Sequence, residues 1–518
     1  MAISLPGVRR ALAMPSDLTT PVRGQRPYGL ILLSVVFALL AVFAPPTLAL
    51  SVLGGGVLAA IVLAHPVIAV YLLVFTVPYG SIHDVSLGGL NATLTEVLAL
   101  LGGLAFFARS AIEGRLLPIR WSWWMTPLFI FAAALIVSTS QATDLKSSIK
   151  ELLKLAEEIL VYVLVLVYVD TPAKFRRLLL FVVLAAFSQA LLGILQSTVH
   201  FGPAAFLRGG ALRSSGTFEQ PNPYAGYLNF TLPLLMAAVI TNVPLVGRLT
   251  RPALVAVAAA LLLSVSRGAL LATIIAGAVM LSITTPRVRP LVGAAVAALV
   301  ALIAGGVVGV VPGTVIDPIA EAFGVANIDV SAPTPANWAA AERLAHQLSG
   351  LAMFADHPIL GVGPGNYPAA YPHYQQLGPW DPPLGHAHNY YINIAAEGGI
   401  VGLAAFLVVL VSAFVIAVRL YRRAPTPLAR TIALGTIGVL TTVTVHNNFD
   451  NIFVHAMEAQ LALVIGLATV AGRLESGQAP AASRPLATEP SQSVWATQRL
   501  RLAIPRTRAG AATLTTGD

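Results

Sequence analysis

Apolar residues run in long blocks along this chain instead of alternating with polar ones. The blocks recur at roughly 28–44, 47–64, 66–79, 94–109, 122–139, 151–169, 178–198, 223–240, 252–265, 268–284, 290–311, 391–418, 430–446 and 453–471. Most approach the ~20 residues a helix needs to cross a hydrocarbon core, and the 66–79 block is short. One chain crosses lipid only as helices or as a closed barrel, and blocks without period-two alternation predict helices. The pattern therefore predicts an all-α polytopic membrane protein with about 12–14 transmembrane helices. It divides the chain into a tail (1–27), a first membrane region (28–311), a large loop (312–390), a last group of three helices (391–471) and a disordered tail (472–518). Within the loop, residues 337–356 predict an amphipathic helix with Leu344, Leu348, Leu351 and Met353 or Phe354 on its apolar side. Residues 143–160 predict a helix lying partly in the interface before the chain turns inward.

Composition supports this reading: 57% of the 518 residues are hydrophobic and only 10% are charged, too few to solvate a globular surface of this size. The absence of cysteine excludes disulfides, thiolate metal sites and cysteine nucleophiles, so chemistry must come from His, Arg, carboxylates or hydroxyls. With the N-terminus inside, 24 of the 31 basic residues fall in cytoplasmic loops and tails, as short inner loops require. The net charge of +9 then needs only anionic membrane lipid as its counterpart, and no nucleic acid. Seven cations fall outside: Lys146, Lys150, Lys154, Arg208, Arg213, Arg267 and Arg343.

Polar motifs collect in the same outer segments. "HAHNYYINIAAEGGIVG" (386–402) contains His388-Asn389, nine residues, then Gly399-Ile400-Val401-Gly402. In chain order with it stand "RSSGTFEQPNPYAGYL" (213–228), "SRGAL" (266–270), "HPILGVGPGNY" (357–367) and "HNNFDN" (446–451). Together these resemble the O-antigen ligase family, including its polysaccharide-polymerase and protein O-oligosaccharyltransferase relatives, over roughly residues 200–470. The resemblance implies a GT-C-like glycosyltransferase of the bacterial plasma membrane. Such an enzyme moves a glycan from undecaprenyl diphosphate onto a hydroxyl acceptor at the outer face, inverting the anomeric centre without a metal or other cofactor. It leaves open whether the acceptor is lipid A core, a growing polysaccharide or a protein.

That chemistry needs a base for the acceptor proton and fixed cations for the diphosphate that leaves. His388, at the start of the twelfth block, is the expected base, acting as neutral imidazole. Arg213 and Arg267, both outside and both bordering a span, are the expected diphosphate ligands, since guanidinium grips phosphate oxygens bidentately. For each, the plain alternative is interfacial snorkelling. Arg343 is a third diphosphate candidate, with a place on an ordinary helix surface as its alternative. Asn389 is expected to cap the helix, and Gly399 and Gly402 to permit close packing. His386 forms a His-x-His pair without an evident third ligand, so no metal is expected. Asn222, His446 and Asp450 are supporting candidates. His446, Asp450, Glu219 and Glu397 are read first as solvated or capping residues. "GVGPGN" (361–366) lacks the end of a nucleotide-binding loop and is read as a tight turn. The reading of another class is a transporter or flippase of lipid-linked glycans. It predicts repeated halves and ionisable residues near the midplane, whereas here polar residues gather in outer loops and no repeat is visible.

Overall fold

The structure is a computed structural model in which residues 46–475 are described, apart from 81–84, 88–89, 115–118, 120, 209, 296, 299–327, 335–336 and 382–383. The N-terminal tail, the 28–44 block, most of the 290–311 block and nearly all of the C-terminal tail lie outside the described residues. The chain runs through α1 (Pro46–Ala64), α2 (Val67–Tyr79), α3 (Leu94–Ile112), α4 (Met125–Ser138), α5 (Leu145–Tyr168) and α6 (Pro172–Val199). It continues through α7 (Pro221–Leu228), α8 (Leu232–Ile240), α9 (Thr250–Leu263) and α10 (Arg267–Thr284). Beyond the gap come α11 (Trp338–Asp356), α12 (Tyr367–Tyr374), α13 (Tyr390–Arg423), α14 (Pro427–His446) and α15 (Met457–Glu475). Two short antiparallel hairpins, Val85–Leu87 with Leu90–Ala92 and Leu207–Arg208 with Ala211–Leu212, are the strands among the described residues. Seven described helical stretches are long and apolar enough to cross a membrane, and three shorter apolar ones accompany them. The protein is an all-α polytopic membrane protein.

Helix starts follow from local sequence. Thr93 and Glu96 form a reciprocal capping box on α3, Asp144 caps α5, and Thr171 and Thr426 cap α6 and α14, each ahead of a proline. Between helices in lipid, close approach of backbones drives packing more than expulsion of water does. Gly435 and Gly438 of α14 accordingly face α8, where an added Cβ would stand 2.7 Å from Leu234 and from Pro233. The α7–α8 stretch breaks at Asn229, and its neighbours hold the break. Asn229 donates to the Ala269 carbonyl (3.0 Å) and accepts from Thr273 (2.8 Å), and its own carbonyl accepts from Thr442 (3.2 Å).

A second break positions the site. Gly399 interrupts α13 with φ +61°, ψ −163°, a conformation open essentially to glycine alone. The "HPILGVG" turn fills the break. Val362 and Gly363 donate to the Ala396 and Glu397 carbonyls (2.9 Å each), while Ile400 and Val401 donate to Pro358 and Ile359 (2.8 and 3.3 Å). A side chain at residue 399 would overlap the Ile359 carbonyl, so close approach of backbone accounts for this glycine. Gly402 meets only ordinary contacts, the nearest at 3.7 Å from Leu135. The turn is also latched to α4 and α5. Ser138 donates to the Leu360 and Glu397 carbonyls, Ser148 donates to the Pro364 carbonyl (2.8 Å), and fully buried Asn366 accepts from the Asp144 amide (2.7 Å).

Two expectations require correction. Residues 145–168 form one continuous helix with no turn after an interfacial segment, because Asp144 caps it once and no glycine or proline interrupts it. On α11 the face turned to the protein consists of Ala341, Ala345, His346, Ser349, Gly350 and Met353, whereas Leu348 and Leu351 are exposed. Small residues let α11 lie close on α13: a Cβ at Gly350 would stand 2.8 Å from Ile392. The leucines are left on the far side.

The start of α13, the end of α14, the end of α9 and the stretch before α7 meet at one end of the bundle through hydrogen bonds between them. Helix ends and the loops between them at the other end carry Arg109, Lys174, Arg176, Arg177, Arg248, Arg251, Arg287, Arg289, Arg419, Arg422, Arg423 and Arg430.

Candidate active site

His388 ends a tight turn after Gly385 (φ +89°) and itself takes φ +51°, a conformation few residues other than glycine adopt. The surrounding bonds hold it there. The Asn389 side chain caps α13, accepting from the Tyr391 and Ile392 amides (3.0 and 3.1 Å). The Ala387 amide donates to Asn393 (3.0 Å), and the Tyr390 amide donates to the Asn447 carbonyl (2.9 Å). Asn389 also donates to the Asn448 carbonyl (3.1 Å). These last two contacts bind "HAHN" to "HNNFDN", which sits at the end of α14.

The seam brings Asp450 to His388. Oδ1 of Asp450 lies 3.0 Å from Nδ1 of His388, with both side chains largely buried. Burial pushes the Asp450 carboxyl up, but the hydrogen bond from His388 and the Arg343 charge outweigh it and hold the group below the usual carboxylate range. An ionised carboxylate only accepts, so Nδ1 of His388 carries the proton and Nε2 the lone pair of the neutral ring. Nε2 is buried with no hydrogen-bond partner among the described residues. A carboxylate fixing one imidazole nitrogen while the other is left to take a proton is how a base is oriented. Asp450, first read as a capping or solvated residue, is neither; the 62 positions between it and His388 concealed the pairing.

A chain of donors extends from this pair. Asn222 donates to Oδ2 of Asp450 (3.1 Å), and Nη2 of Arg213 donates to Asn222 Oδ1 (3.2 Å). Nε of Arg213 is bound to the Ser264 carbonyl (2.8 Å). Ser264 opens the reversal between α9 and α10, where Val265 is forced to φ +51° and Arg267 begins α10. Gly268 follows because α10 starts directly over α14: a Cβ there would stand 3.0 Å from Phe449 and 3.2 Å from His446. Arg343 reaches across from α11, Nη2 at 4.0 Å from Oδ2 of Asp450. Three of the seven cations assigned outside are thus drawn to one locality, either joined through Asp450 and Asn222 or placed on the adjoining reversal.

His386 packs edge-on against His388, ring centroids 4.6 Å apart, and its Nδ1 accepts the His388 amide (3.2 Å). Burial, reinforced by the neighbouring His388, pushes it down to about 4. His346 of α11 was not foreseen. It is buried, stacks on Tyr371 at 4.9 Å and meets His388 edge-on at 5.7 Å. The only sequence signal for it was its place on the loop helix three residues after Arg343. Asp450 stands where a third donor could join the His-x-His pair: ligand atoms of His386, His388 and Asp450 lie within 4.8 Å of one another. His446 adjoins the site, buried beneath the start of α10, its carbonyl accepting the Asp450 amide (3.2 Å). Glu397 and Glu219 lie apart from it: Glu397 accepts the Tyr367 amide (3.0 Å) at the head of α12, and Glu219 is exposed.

Comparison with known families comes from one match. A family model described as O-antigen ligase matches residues 252–407, from α9 into the upper part of α13. That span holds Arg267, Arg343, His386, His388 and Asn389, while Arg213, Asn222 and Asp450 lie outside it. No curated protein matches the chain. Over that stretch the chain is similar to the O-antigen ligase family.

Proposed function

We propose that this O-antigen ligase-like protein transfers a glycan from undecaprenyl diphosphate to a hydroxyl acceptor at the outer face of the bacterial plasma membrane. His388 is the general base in this reading. The observation that carries it is the buried Nε2 of His388, unpartnered, on a ring whose other nitrogen is committed to Asp450. The acceptor hydroxyl gives its proton to Nε2 as its oxygen attacks the anomeric carbon. The glycosyl–oxygen bond to the diphosphate breaks on the opposite face, and the centre inverts in a single displacement. Charge growing on the leaving oxygens is met by Arg213 and Arg267, with Arg343 at the margin. Base and cations between them cover both requirements, so no step is assigned to a metal. The ligase, polymerase and protein-oligosaccharyltransferase readings share all of these steps and differ only in what carries the hydroxyl.

Orientation follows from charge. The basic loops lie at the end of the bundle remote from His388, and short basic loops stay in the cytoplasm. Reporters fused after Arg120 and Arg423 are expected to report cytoplasm, and reporters within 312–390 the exterior. A cytoplasmic signal from that loop would remove the base from the donor glycan and end the proposal.

Purified protein in vesicles should transfer glycan from the lipid-linked donor without itself driving uptake or scrambling. Arg213→Ala and Arg267→Ala should each lower transfer on the order of 10²-fold, as loss of one donor to a developing oxyanion does. Lysine at either position should restore only part of this, since it supplies charge without the planar fork. Near-normal rate and donor affinity in both Ala and Lys variants would mean that the arginines only reach for the interface.

A further inference from the structure

The proposed base belongs to a second arrangement that transfer does not require. His386, His388 and Asp450 each offer a ligand atom within 4.8 Å of the other two. Two imidazoles and a carboxylate suit a first-row divalent ion such as Zn²⁺. Donors at zinc bond lengths in a tetrahedral shell stand roughly 3.3 Å apart, and Nδ1 of His388 is already 3.0 Å from Oδ1 of Asp450. The two rings need no gathering, because the turn from Gly385 and the bond from the His388 amide to His386 hold them edge to face.

We propose that His386, His388 and Asp450 form a binding site for a divalent transition-metal ion of the zinc class, and that its occupation arrests transfer. The ion competes for the base and takes no part in the reaction. Asp450 lies on the Nδ1 side of His388, so an ion shared with it binds Nδ1; the ring proton must then move to Nε2, and the lone pair that would accept the acceptor proton is lost there. Binding silences the base without any change in the bound donor. This consequence rests on His388 being the base; the binding site itself does not.

The test uses full-length protein in vesicles, stripped with a chelator, then titrated with Zn²⁺ by calorimetry and with Co²⁺ by its visible absorption. One ion per chain is expected. His386→Ala and Asp450→Ala should weaken binding by roughly 10-fold or more, while His373→Ala, at an exposed histidine elsewhere in the loop, should not. Zn²⁺ should lower wild-type transfer at least ~10-fold and a chelator should restore it. His386→Ala, measured against its own metal-free rate, should need at least ~10-fold more Zn²⁺ for the same fractional inhibition. Binding unchanged in both ligand variants overturns the site. Zinc held by these residues while transfer continues undiminished upholds the site and overturns both the arrest and the assignment of His388 as base.

Discussion

Replacing His388 with Ala or Gln is expected to lower glycan transfer by ~10²–10⁴-fold, the usual worth of a positioned general base, while the protein still inserts and still binds lipid-linked donor. The separation of effects follows from where the groups are anchored. Arg213 is fixed by the Ser264 carbonyl and Asn222, and Arg267 stands at the start of α10, so neither depends on the imidazole for its place. His386→Ala should cost much less, because His386 only accepts the backbone amide of His388. The pH profile gives a second readout for His386. Burial pushes its pKa down to about 4, so its protonation contributes nothing to the pH dependence of transfer between pH 7 and 5. The profiles of wild type and His386→Ala should therefore coincide over that range. Transfer by His388→Ala within a few-fold of wild type, at equal protein in the membrane, would reduce the polar turn to a helix cap.

Much of this arrangement was legible in the sequence, for reasons that also show where reading stops. Helices were legible because lipid allows few alternatives and long apolar blocks have no competing signal. The capping role of Asn389 was legible because an N-cap is decided within three residues. Gly399 was legible as a position needing glycine, but close helix packing was the wrong reason. The needed fact was that the turn at 357–363 inserts its backbone into the break in α13, and nothing local to "EGGIVG" announces a partner some forty residues earlier. The same limit hid the Asp450 pairing, which depends on α14 returning beside α13. On α11, periodicity marked an apolar face correctly and its direction wrongly. Ala341, Ala345 and Gly350 face the protein because small side chains allow closer approach, a preference that a hydrophobicity count reverses.

Asp450→Asn is expected to lower transfer nearly as far as loss of His388, by something on the order of 10²–10⁴-fold, although it is the smallest change available at that position. Asn222 and Arg343 both present donors toward Oδ2, against the single Asn451 amide (3.0 Å) at Oδ1, so the amide oxygen should settle at Oδ2 and the NH₂ should face His388. A donor at that place is satisfied by a lone pair on Nδ1, which moves the ring proton to Nε2 and turns the base into its inactive tautomer. Asp450→Ala removes the partner without imposing the wrong tautomer, so its rate should be no lower than that of Asn. Stability should rank the other way, because Asn fills the same volume and keeps the bond from Asn222, whereas Ala leaves a cavity beside buried polar groups. The comparison needs transfer rates and thermal midpoints for both variants on the same preparations. A residue that only shapes the turn would give the same ranking in both measurements, with Asn closer to wild type in each. That result would sink the orienting role of Asp450 while leaving His388 open as the base.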